Sequence, residues 1–417
     1  MNKSVLCIFF IVFKVVTLWA QVENEVVPPY NIKTISFTQN TANLIPIFKL
    51  GESFALDFDD LFGNEANYYY EIVHCDYNWI PSDIAKNEYM QGFDGQRIQD
   101  YTNSFNTLQL YSHYKVAIPN QFTQLKISGN YMLKILNEDK EVVFSRKFIL
   151  YEDLVTLSIA VKRARTIANI ETKQNLDFTI KSNTITFQNP SKNIKVLLLQ
   201  NGQVNNPIKN VAPQYTIGND LIYKYDTETQ FWAGNEYLYF ENKDIRAANN
   251  NVSHVDTNSA IYSTYLYTSD ARANFPYNFT QDVNGNFVVK NINATNNAVE
   301  ADYAWVYFSL SAPTFRLNKD IYVGGMFNNY NQTPEYKMEY NTKKAVYEKA
   351  ILIKQGFTNF QYSIADSKGV LDPENAINGN FYQTENDYTI LVYYRENTDR
   401  YDRVIGKGVA NSVNITN

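Results

Sequence analysis

Residues 129–150 read GNYMLKILNEDKEVVFSRKFIL, and this stretch is the clearest indication of the fold. Tyr131, Leu133 and Ile135 alternate with their neighbours, so these three side chains share one face of an extended strand. Residues 137–140 are polar and suit a turn, and residues 141–150 return as a second strand-like run. The pattern predicts a β-hairpin with one face in a hydrophobic core.

Alternating runs of this kind recur along the chain, and no window of 11 or more residues keeps the spacing of an amphipathic helix. We therefore predict an all-β protein of tandem β-sandwich domains. Breaks between the runs predict an N-terminal domain at 21–153, a middle domain at 154–313 and a C-terminal domain at 314–417. The pairs Asn201-Gly202 and Asn284-Gly285 favour tight turns, the second within a predicted hairpin at 281–289.

The composition is that of a globular, acidic protein. The 417 residues carry 37 Lys+Arg and 43 Asp+Glu, a net charge of −6 at pH 7, and 45% of them are hydrophobic. This charge argues against nucleic acid and against an anionic membrane face as partners. No stretch after the first 20 residues approaches transmembrane length, so we expect no direct membrane insertion. The 33 Tyr and 26 Phe suit half-buried strands and protein interfaces, or a platform on which glycans stack, and spacing alone does not separate these interpretations.

The first 20 residues have the pattern of a secretory signal peptide. A short basic start precedes an apolar run from Val5 to Leu18, and Ala20 lies just before polar residues. The run is shorter than the ~20 residues of a membrane span and contains Lys14, which favours a cleaved signal over a membrane anchor. Cleavage at 1–20 would leave Cys75 as the single cysteine, so the exported chain would have no intrachain disulfide.

The densest polar cluster is His74-Cys75-Asp76 with Trp79. Adjacent residues of a strand point to opposite faces, so His74 and Cys75 cannot act as a base and a nucleophile together. His74 and Asp76 could share a face as a catalytic or metal-binding pair. The interpretation that we favour is a strand end, with Asp76 accepting hydrogen bonds from turn amides and Trp79 buried.

Other candidate acids and bases are sparse. Asp57 and Asp59 share one predicted strand face, but a glycosidase needs two carboxylates at a defined separation in a cleft, which sequence cannot supply. His113 and His254 stand alone and are interpreted as structural or solvated. We therefore expect no catalytic residue, no metal site and no cofactor, and we expect no enzymatic activity.

A series of short strings, in order along the chain, resembles the type IX secretion system plug protein family. The strings are HCDYNW (74–79), SFNT (104–107), YSHY (111–114), GNY (129–131), QNG (200–202), GNE (234–236), EADY (300–303), LIKQG (352–356), TEN (384–386), ILVYYR (390–395) and YD (401–402). They cover essentially the whole chain after the signal peptide. The motif residues with a structural or partner-contact role are therefore taken as His74, Cys75, Asp76, Trp79, Phe105, Asn106, Thr107, His113 and Tyr114.

The resemblance implies a function. It implies a non-enzymatic plug in the periplasm, associated with the outer membrane through the translocon and closing the periplasmic mouth of the translocon β-barrel subunit. That subunit would be the partner, and the protein would be a monomer apart from the complex.

Two further resemblances concern the fold. Gly129-Asn130-Tyr131 is similar to the entry of a late strand in immunoglobulin-like sandwiches, and residues 322–330 (YVGGMFNNY) resemble a turn of early-set sandwiches that include glycan-binding modules. The sandwiches are therefore expected to be immunoglobulin-like or early-set. The alternative function is a periplasmic or surface glycan-binding protein in which Tyr330 stacks on sugar, although glycan-binding modules carry Trp at that position.

Overall fold

A computed structural model describes residues 21–39, 42–313, 319–413 and 415. The predicted signal peptide at 1–20 lies outside the described residues. The prediction of an all-β protein built of sandwiches is confirmed, since strands dominate and helices are single turns. The short helices are α1 (Lys86–Tyr89), α2 (Pro190–Asn193), α3 (Asn297–Glu300) and a 3-10 turn at Met326–Asn328.

The first sandwich holds two facing sheets. Its strands are β1 (Ile32–Gln39), β2 (Ala42–Leu44), β3 (Ile47–Lys49), β4 (Phe54–Asp60), β5 (Tyr69–Cys75), β6 (Met90–Gly92), β7 (Gln96–Arg97), β8 (Asp100–Asn103), β9 (Ser112–Ile118), β10 (Thr123–Leu125), β11 (Gly129–Leu136) and β12 (Val142–Tyr151). One sheet has the order β2-β1-β4-β9-β8 and the other β3-β12-β11-β5-β7, with β10-β6 as a separate pair. The predicted hairpin is confirmed as β11–β12, and Tyr131, Leu133 and Ile135 lie in the core between the sheets.

The second sandwich begins directly after the first. Its strands are β13 (Thr156–Arg163), β14 (Lys173–Lys181), β15 (Ile194–Gln200), β16 (Ile208–Lys209), β17 (Tyr215–Ile217), β18 (Asp220–Tyr223) and β19 (Gln230–Trp232). The third sandwich follows with β20 (Leu238–Glu241), β21 (Val252–Asp256), β22 (Ser263–Leu266), β23 (Ser269–Asp270), β24 (Phe287–Val289), β25 (Tyr303–Ser311), β26 (Asp320–Gly324), β27 (Glu339–Asn341), β28 (Val346–Lys354) and β29 (Gly356–Ala365). The last strands are β30 (Asp387–Tyr394) and β31 (Arg403–Asn411).

The chain returns to the second sandwich at its end. Strand β30 pairs with β15 from Ile194↔Tyr394 to Gln200↔Tyr388, which gives a sheet of order β16-β15-β30-β31. This sheet faces β13-β14-β18-β17 across one core. The third sandwich, with its own core, is therefore inserted between β19 and β30.

The predicted domains at 154–313 and 314–417 do not match these cores, so that division is corrected. Residues 238–377 contribute to the third core, whereas residues 388–405 belong to the second. Alternation identifies a strand but carries no information about which sheet the strand joins. The sequence analysis therefore divided the chain into consecutive domains. The predicted hairpin at 281–289 is also wrong, because β24 pairs with β29, although Asn284 and Gly285 have the positive φ of the predicted turn.

Candidate functional site at the junctions between the sandwiches

The HCDYNW string lies where the first and second sandwiches meet, at what we call the first junction. Strand β5 ends at Cys75, and its alternation sends His74 and Cys75 to opposite faces. The His74 ring packs against Tyr131 at 4.9 Å and against Tyr401, from the loop between β30 and β31, at 5.6 Å. Its Nδ1 lies 2.8 Å from Ser82 Oγ. Burial lowers the pKa of His74 to about 4, so the ring is neutral at neutral pH.

Cys75 and Trp79 belong to an apolar cluster shared by the two sandwiches. The cluster joins Ile47, Cys75, Tyr77, Trp79 and Ile149 of the first sandwich to Leu197, Leu199, Val204, Leu391, Tyr393 and Val404 of the second. Burial raises the pKa of the Cys75 thiol to about 12, which removes the thiolate that a nucleophile or metal ligand requires. These motif residues therefore hold two sandwiches together.

The polar groups of the first junction are also satisfied across it. Asp76 Oδ1 accepts hydrogen bonds from the amides of Asn78 and Ile80 at 2.8 and 2.9 Å, which is the turn role expected from the sequence. The Tyr77 amide donates to Asp402 Oδ2 at 2.9 Å, and the Tyr77 hydroxyl donates to the Val196 carbonyl at 2.8 Å. Asp402 thus anchors the turn of the first sandwich to the second.

The second junction joins the first sandwich to the third and centres on Asp59. Asp59 and Asp57 lie on the outward face of β4, opposite His113 and Lys115 of the paired strand β9, whereas Phe58 points into the core. Asp59 Oδ2 accepts hydrogen bonds from Lys354 Nζ at 2.6 Å and from the Tyr303 hydroxyl at 2.7 Å. Its Oδ1 lies 2.7 Å from His113 Nδ1. His113, expected to stand alone, is therefore part of a buried network.

The electrostatics of this junction hold Asp59 in its charged form. Burial alone raises the pKa of a carboxyl group, but Lys354 and His113 outweigh that effect and leave the pKa of Asp59 below its ordinary value. Neighbouring Asp57 has its pKa raised, chiefly by burial. Its Oδ1 has no hydrogen-bond partner among the described residues. Asp57, His113 and Lys354 border a cleft of about 650 Å³ between the two sandwiches.

The chemical capacity of the two clusters is limited by these contacts. Both Asp59 oxygens are already engaged, and its strongest partner is a lysine from another sandwich. Within the described ranges, 21–39, 42–313, 319–413 and 415, no group of three or more His, Cys, Asp or Glu is arranged to hold a metal ion. The same residues contain no helix of the length and apolarity that a membrane span requires.

The SFNT string lies on a loop whose backbone amides donate hydrogen bonds to the third sandwich. The Phe105 amide donates to the Val299 carbonyl at 2.9 Å, and the Leu108 amide donates to Asp302 Oδ2 at 2.6 Å. The Thr107 hydroxyl donates to the Gln109 carbonyl within the loop, and Asn106 has a positive φ of 57°. The loop is thus fixed by its main chain.

Several apolar side chains of this region point to solvent. We call the exposed residues Phe62, Phe105, Leu108 and Leu110 the loop patch. Phe105 is 69% exposed and Leu110 is 62% exposed, and a Cβ on Gly63 would lie 3.4 Å from that of Leu110, so the two loops adjoin. Tyr114, by contrast, is buried in the first core and stacks on Phe58 at 5.1 Å.

Tyr330, the residue of the glycan alternative, makes contacts within the third sandwich. Its hydroxyl lies 3.3 Å from that of Tyr237 in the third sandwich, and a Cβ on Gly285 would lie 2.2 Å from it. The side chain is half-buried at a cavity between the sandwiches. The hydroxyl end of Tyr330 is therefore held against Tyr237, and the glycan alternative stays a prediction.

Sequence reasoning missed the partners of the motif residues. Four of these partners lie at the junctions: Asp302, Tyr303, Lys354 and Asp402. Each lies within a string that carried the family resemblance, which is EADY for the first two, LIKQG for Lys354 and YD for Asp402. Their inclusion in those strings was the available signal. No spacing rule connects residues 244 or 325 positions apart, so only the folded chain brings them together.

Comparisons with known proteins show a family and a solved structure to which this chain is similar. The family model described as type 9 secretion system plug protein 1st domain matches residues 32–152, which span the strands of the first sandwich. A solved structure of a hypothetical protein from Parabacteroides merdae ATCC 43184 is similar over 93% of this chain and 98% of its own, with 31% identity and a TM-score of 0.87. No curated protein matches the chain. The chain belongs to the type IX secretion system plug protein family.

Proposed function

We propose that this protein is a non-enzymatic plug that closes the periplasmic mouth of the outer-membrane translocon β-barrel of the type IX secretion system. The observation that carries the proposal is the family match over the first sandwich, the part of the chain that contains the HCDYNW and SFNT strings. Association of the protein with the secretion machinery follows from its membership of the plug protein family. The gating role and the barrel partner are what we propose.

The two junctions support a mechanical role. A barrel wide enough for folded cargo would leak small solutes, so a plug has to keep its shape when it covers the opening. Here the motif residues form an apolar cluster at one junction and a buried ion pair with hydrogen bonds at the other. Both junctions tie the first sandwich to a neighbour, and the insertion of the third sandwich into the second adds a covalent constraint at two points. The result is a body suited to blocking by shape.

The absence of catalysis is part of the proposal. His74 is held neutral and buried, burial raises the pKa of Cys75, and the charged Asp59 is paired with Lys354. These groups stabilise contacts between sandwiches: both His74 nitrogens and both Asp59 oxygens already have hydrogen-bond partners, and Cys75 lacks the thiolate that a nucleophile needs.

Release of the plug requires a difference in affinity between two barrel states. A plug that binds the idle barrel more tightly than the cargo-loaded barrel leaves when cargo arrives, and the shift is set by that difference alone. A partly polar contact of moderate affinity suits this exchange better than an extensive apolar one.

Two experiments test the proposal. Deletion of the gene should increase uptake of an antibiotic that the outer membrane normally excludes, and re-expression of the chain should reverse the increase. Tagged protein should capture the translocon barrel from detergent-solubilised outer membranes. Unchanged permeability together with normal secretion, or failure to capture the barrel, would contradict the gating role.

A further inference from the structure

All three sandwiches border one small cavity. Its volume is about 200 Å³, and its lining includes Phe37 and Arg146 from the first sandwich, Val204 from the second, and Met326 from the third. The cavity lies apart from Asp59 and from His74, neither of which lines it. A ligand here would contact every sandwich at once.

Arg146 is the exceptional residue of this cavity. It lies in β12 between Phe144 and Phe148, both of which belong to the first core, and only 8% of Arg146 is exposed. A guanidinium group remains charged in proteins and offers five N–H donors. Within the described residues, its one hydrogen bond runs from Nη1 to the Ser145 carbonyl at 2.8 Å, and no carboxylate oxygen lies within 4.0 Å of its nitrogen atoms.

Glu25 acts on Arg146 at a distance but forms no ion pair with it: burial lowers the pKa of Arg146, and the Glu25 charge opposes only part of that effect. Glu25 lines the same cavity, but its Oε1 accepts the Lys147 amide at 2.7 Å. Its Oε2 accepts hydrogen bonds from the Asn329 and Asn205 side chains at 2.6 and 3.1 Å. A buried charge without a paired counter-charge is costly, and most buried charges in proteins are paired. The unused donors of Arg146 therefore lack a directly bonded counter-ion, since the carboxylate of Glu25 is hydrogen-bonded to other groups.

The rest of the lining restricts the kind of anion. The cavity has apolar walls, which include Phe37, Val204 and Met326. An inorganic anion would place its charge against these walls, whereas an organic anion can place an apolar group there. The volume is below the ~300 Å³ at which pockets for drug-sized ligands begin. A planar carboxylate matches the forked donors of arginine in a bidentate contact, and a short apolar body fits the walls.

We propose that this cavity binds a small carboxylate with an apolar body, in which the carboxylate pairs with Arg146. The ligand is either a free acid or the carboxyl terminus of a peptide. Because the ligand would contact three sandwiches, its binding would stabilise their mutual arrangement. This inference does not depend on the plug function.

Calorimetric titration and thermal unfolding of the purified chain test the proposal, with benzoate and hexanoate as probes and benzyl alcohol as the neutral analogue. We expect both acids to bind and to raise the melting temperature in a concentration-dependent way, and the alcohol to do neither. Arg146→Met should weaken binding of the acids at least about tenfold, as expected for loss of a charge-assisted pair. No binding of either acid at 10 mM, or equal binding of benzyl alcohol, would overturn the proposal.

The variants are chosen so that misfolding cannot mimic the result. Arg146→Met removes an unpaired buried charge, so its melting temperature without ligand should not fall. Val204→Phe keeps Arg146 and reduces the cavity, so it should also weaken binding; because Val204 lies in the apolar cluster of the first junction, its melting temperature is compared with that of the wild type. Arg165→Met, at an exposed arginine of the second sandwich, is the matched control and should bind as the wild type does. Equal affinity in Arg146→Met and the wild type would contradict the proposal.

The source of the carboxylate can be distinguished in the same assay. A tripeptide Ala-Ala-Val with a free carboxyl terminus is compared with its amide. Binding of the free peptide but not of the amide supports a peptide terminus, and binding of the free acids alone supports a metabolite-sized acid. Binding of inorganic phosphate with no binding of either acid or of the peptide would overturn the assignment of the apolar walls.

Discussion

His74 is a neutral, enclosed imidazole, although it opens the most specific string of the chain. Only 1% of the residue is exposed, and aromatic rings from two sandwiches surround it. The ring stabilises the structure because it packs against Tyr131 and Tyr401. Its Nδ1 also lies within hydrogen-bond distance of Ser82 Oγ. The cost is sensitivity to acid, because protonation would place a charge in this site.

The first prediction concerns that sensitivity. The pKa of histidine is near 6.5 in the unfolded chain and about 4 for His74 in the folded chain, so the unfolded state binds more protons between these values. Stability therefore falls as the pH drops from 6.5 towards 4, by up to about 3 kcal/mol from this residue. Urea unfolding at pH 7 and pH 4.5 should show a smaller loss for His74→Gln than for the wild type.

The matched control for this measurement is His254→Gln. His254 is exposed in the third sandwich, so its replacement should leave the pH dependence unchanged. An identical loss of stability in His74→Gln and the wild type would show that the buried ring is not the acid-sensitive group.

The second prediction concerns the buried ion pair of the second junction. Asp59→Asn leaves Lys354 buried, 3% exposed, without its counter-charge, and should lower the free energy of unfolding by about 3–5 kcal/mol. The double variant Asp59→Asn with Lys354→Met should recover part of that loss, because the unpaired charge is removed as well. Urea titration followed by tyrosine fluorescence measures both.

An exposed pair provides the comparison. Lys344 and Glu348 form an ion pair on the surface of the third sandwich, and Lys344→Met should give no measurable change. A loss in Asp59→Asn as small as in this control would mean that the second junction contributes little to stability.

At the scale of elements, β11 depends on a glycine at its first position. Gly129 has φ of +150°, and a Cβ there would lie 2.2 Å from His74 Nε2 on the paired strand. No side chain is accommodated without moving the histidine or the strand. The start of β11 and the placement of the HCDYNW string are therefore coupled.

The third prediction follows from this close approach. Gly129→Ala should lower the free energy of unfolding by roughly 2 kcal/mol or more, because backbone strain and a steric clash add together. Gly234→Ala is the control, since Gly234 also has a positive φ, +66°, but has open space around its Cβ position. Gly234→Ala should lower the free energy of unfolding by about 1 kcal/mol, from the unfavourable backbone conformation alone. Equal losses in thermal unfolding would contradict the clash.

Elements were predictable where their pattern is local. The alternation in residues 131–150 identified the β11–β12 hairpin, and Asn201-Gly202 adopts the positive φ expected of a tight turn. The partner of an isolated strand was not predictable. Residues 287–289 were assigned to a local hairpin but pair with β29, since pairing energy depends on a sheet edge that the sequence does not reveal.

At the scale of the whole molecule, the loop patch is the surface that most resembles a contact site. Its four exposed apolar residues lie on two adjoining loops, and the backbone of the 104–110 loop is anchored to the third sandwich. Phe105 was among the motif residues expected to have a structural or partner-contact role. A fixed loop that presents exposed aromatic and aliphatic groups binds at low entropic cost. Such a surface suits contact with the secretion machinery.

The fourth prediction assigns that contact to the translocon barrel. The double variant Phe105→Ser with Leu110→Ser should reduce capture of the barrel from solubilised outer membranes by about tenfold or more. Its melting temperature should stay close to that of the wild type, because both side chains are exposed. Ile167→Ser, at a residue 93% exposed on the second sandwich, should leave capture intact. Full capture by the double variant would exclude the loop patch as the contact.

The sequence by itself determined the class of the fold, the faces of its strands and the family. Periodicity is local, and ordered strings along a chain are visible without coordinates, so alternation, turn pairs and family motifs were all readable. Tertiary structure alone decided that the third sandwich is inserted into the second, and that the motif residues serve junctions. Asp59 meets Lys354, and Tyr77 meets Asp402, across hundreds of residues. Such contacts arise from the packing of whole sandwiches, which no local spacing encodes.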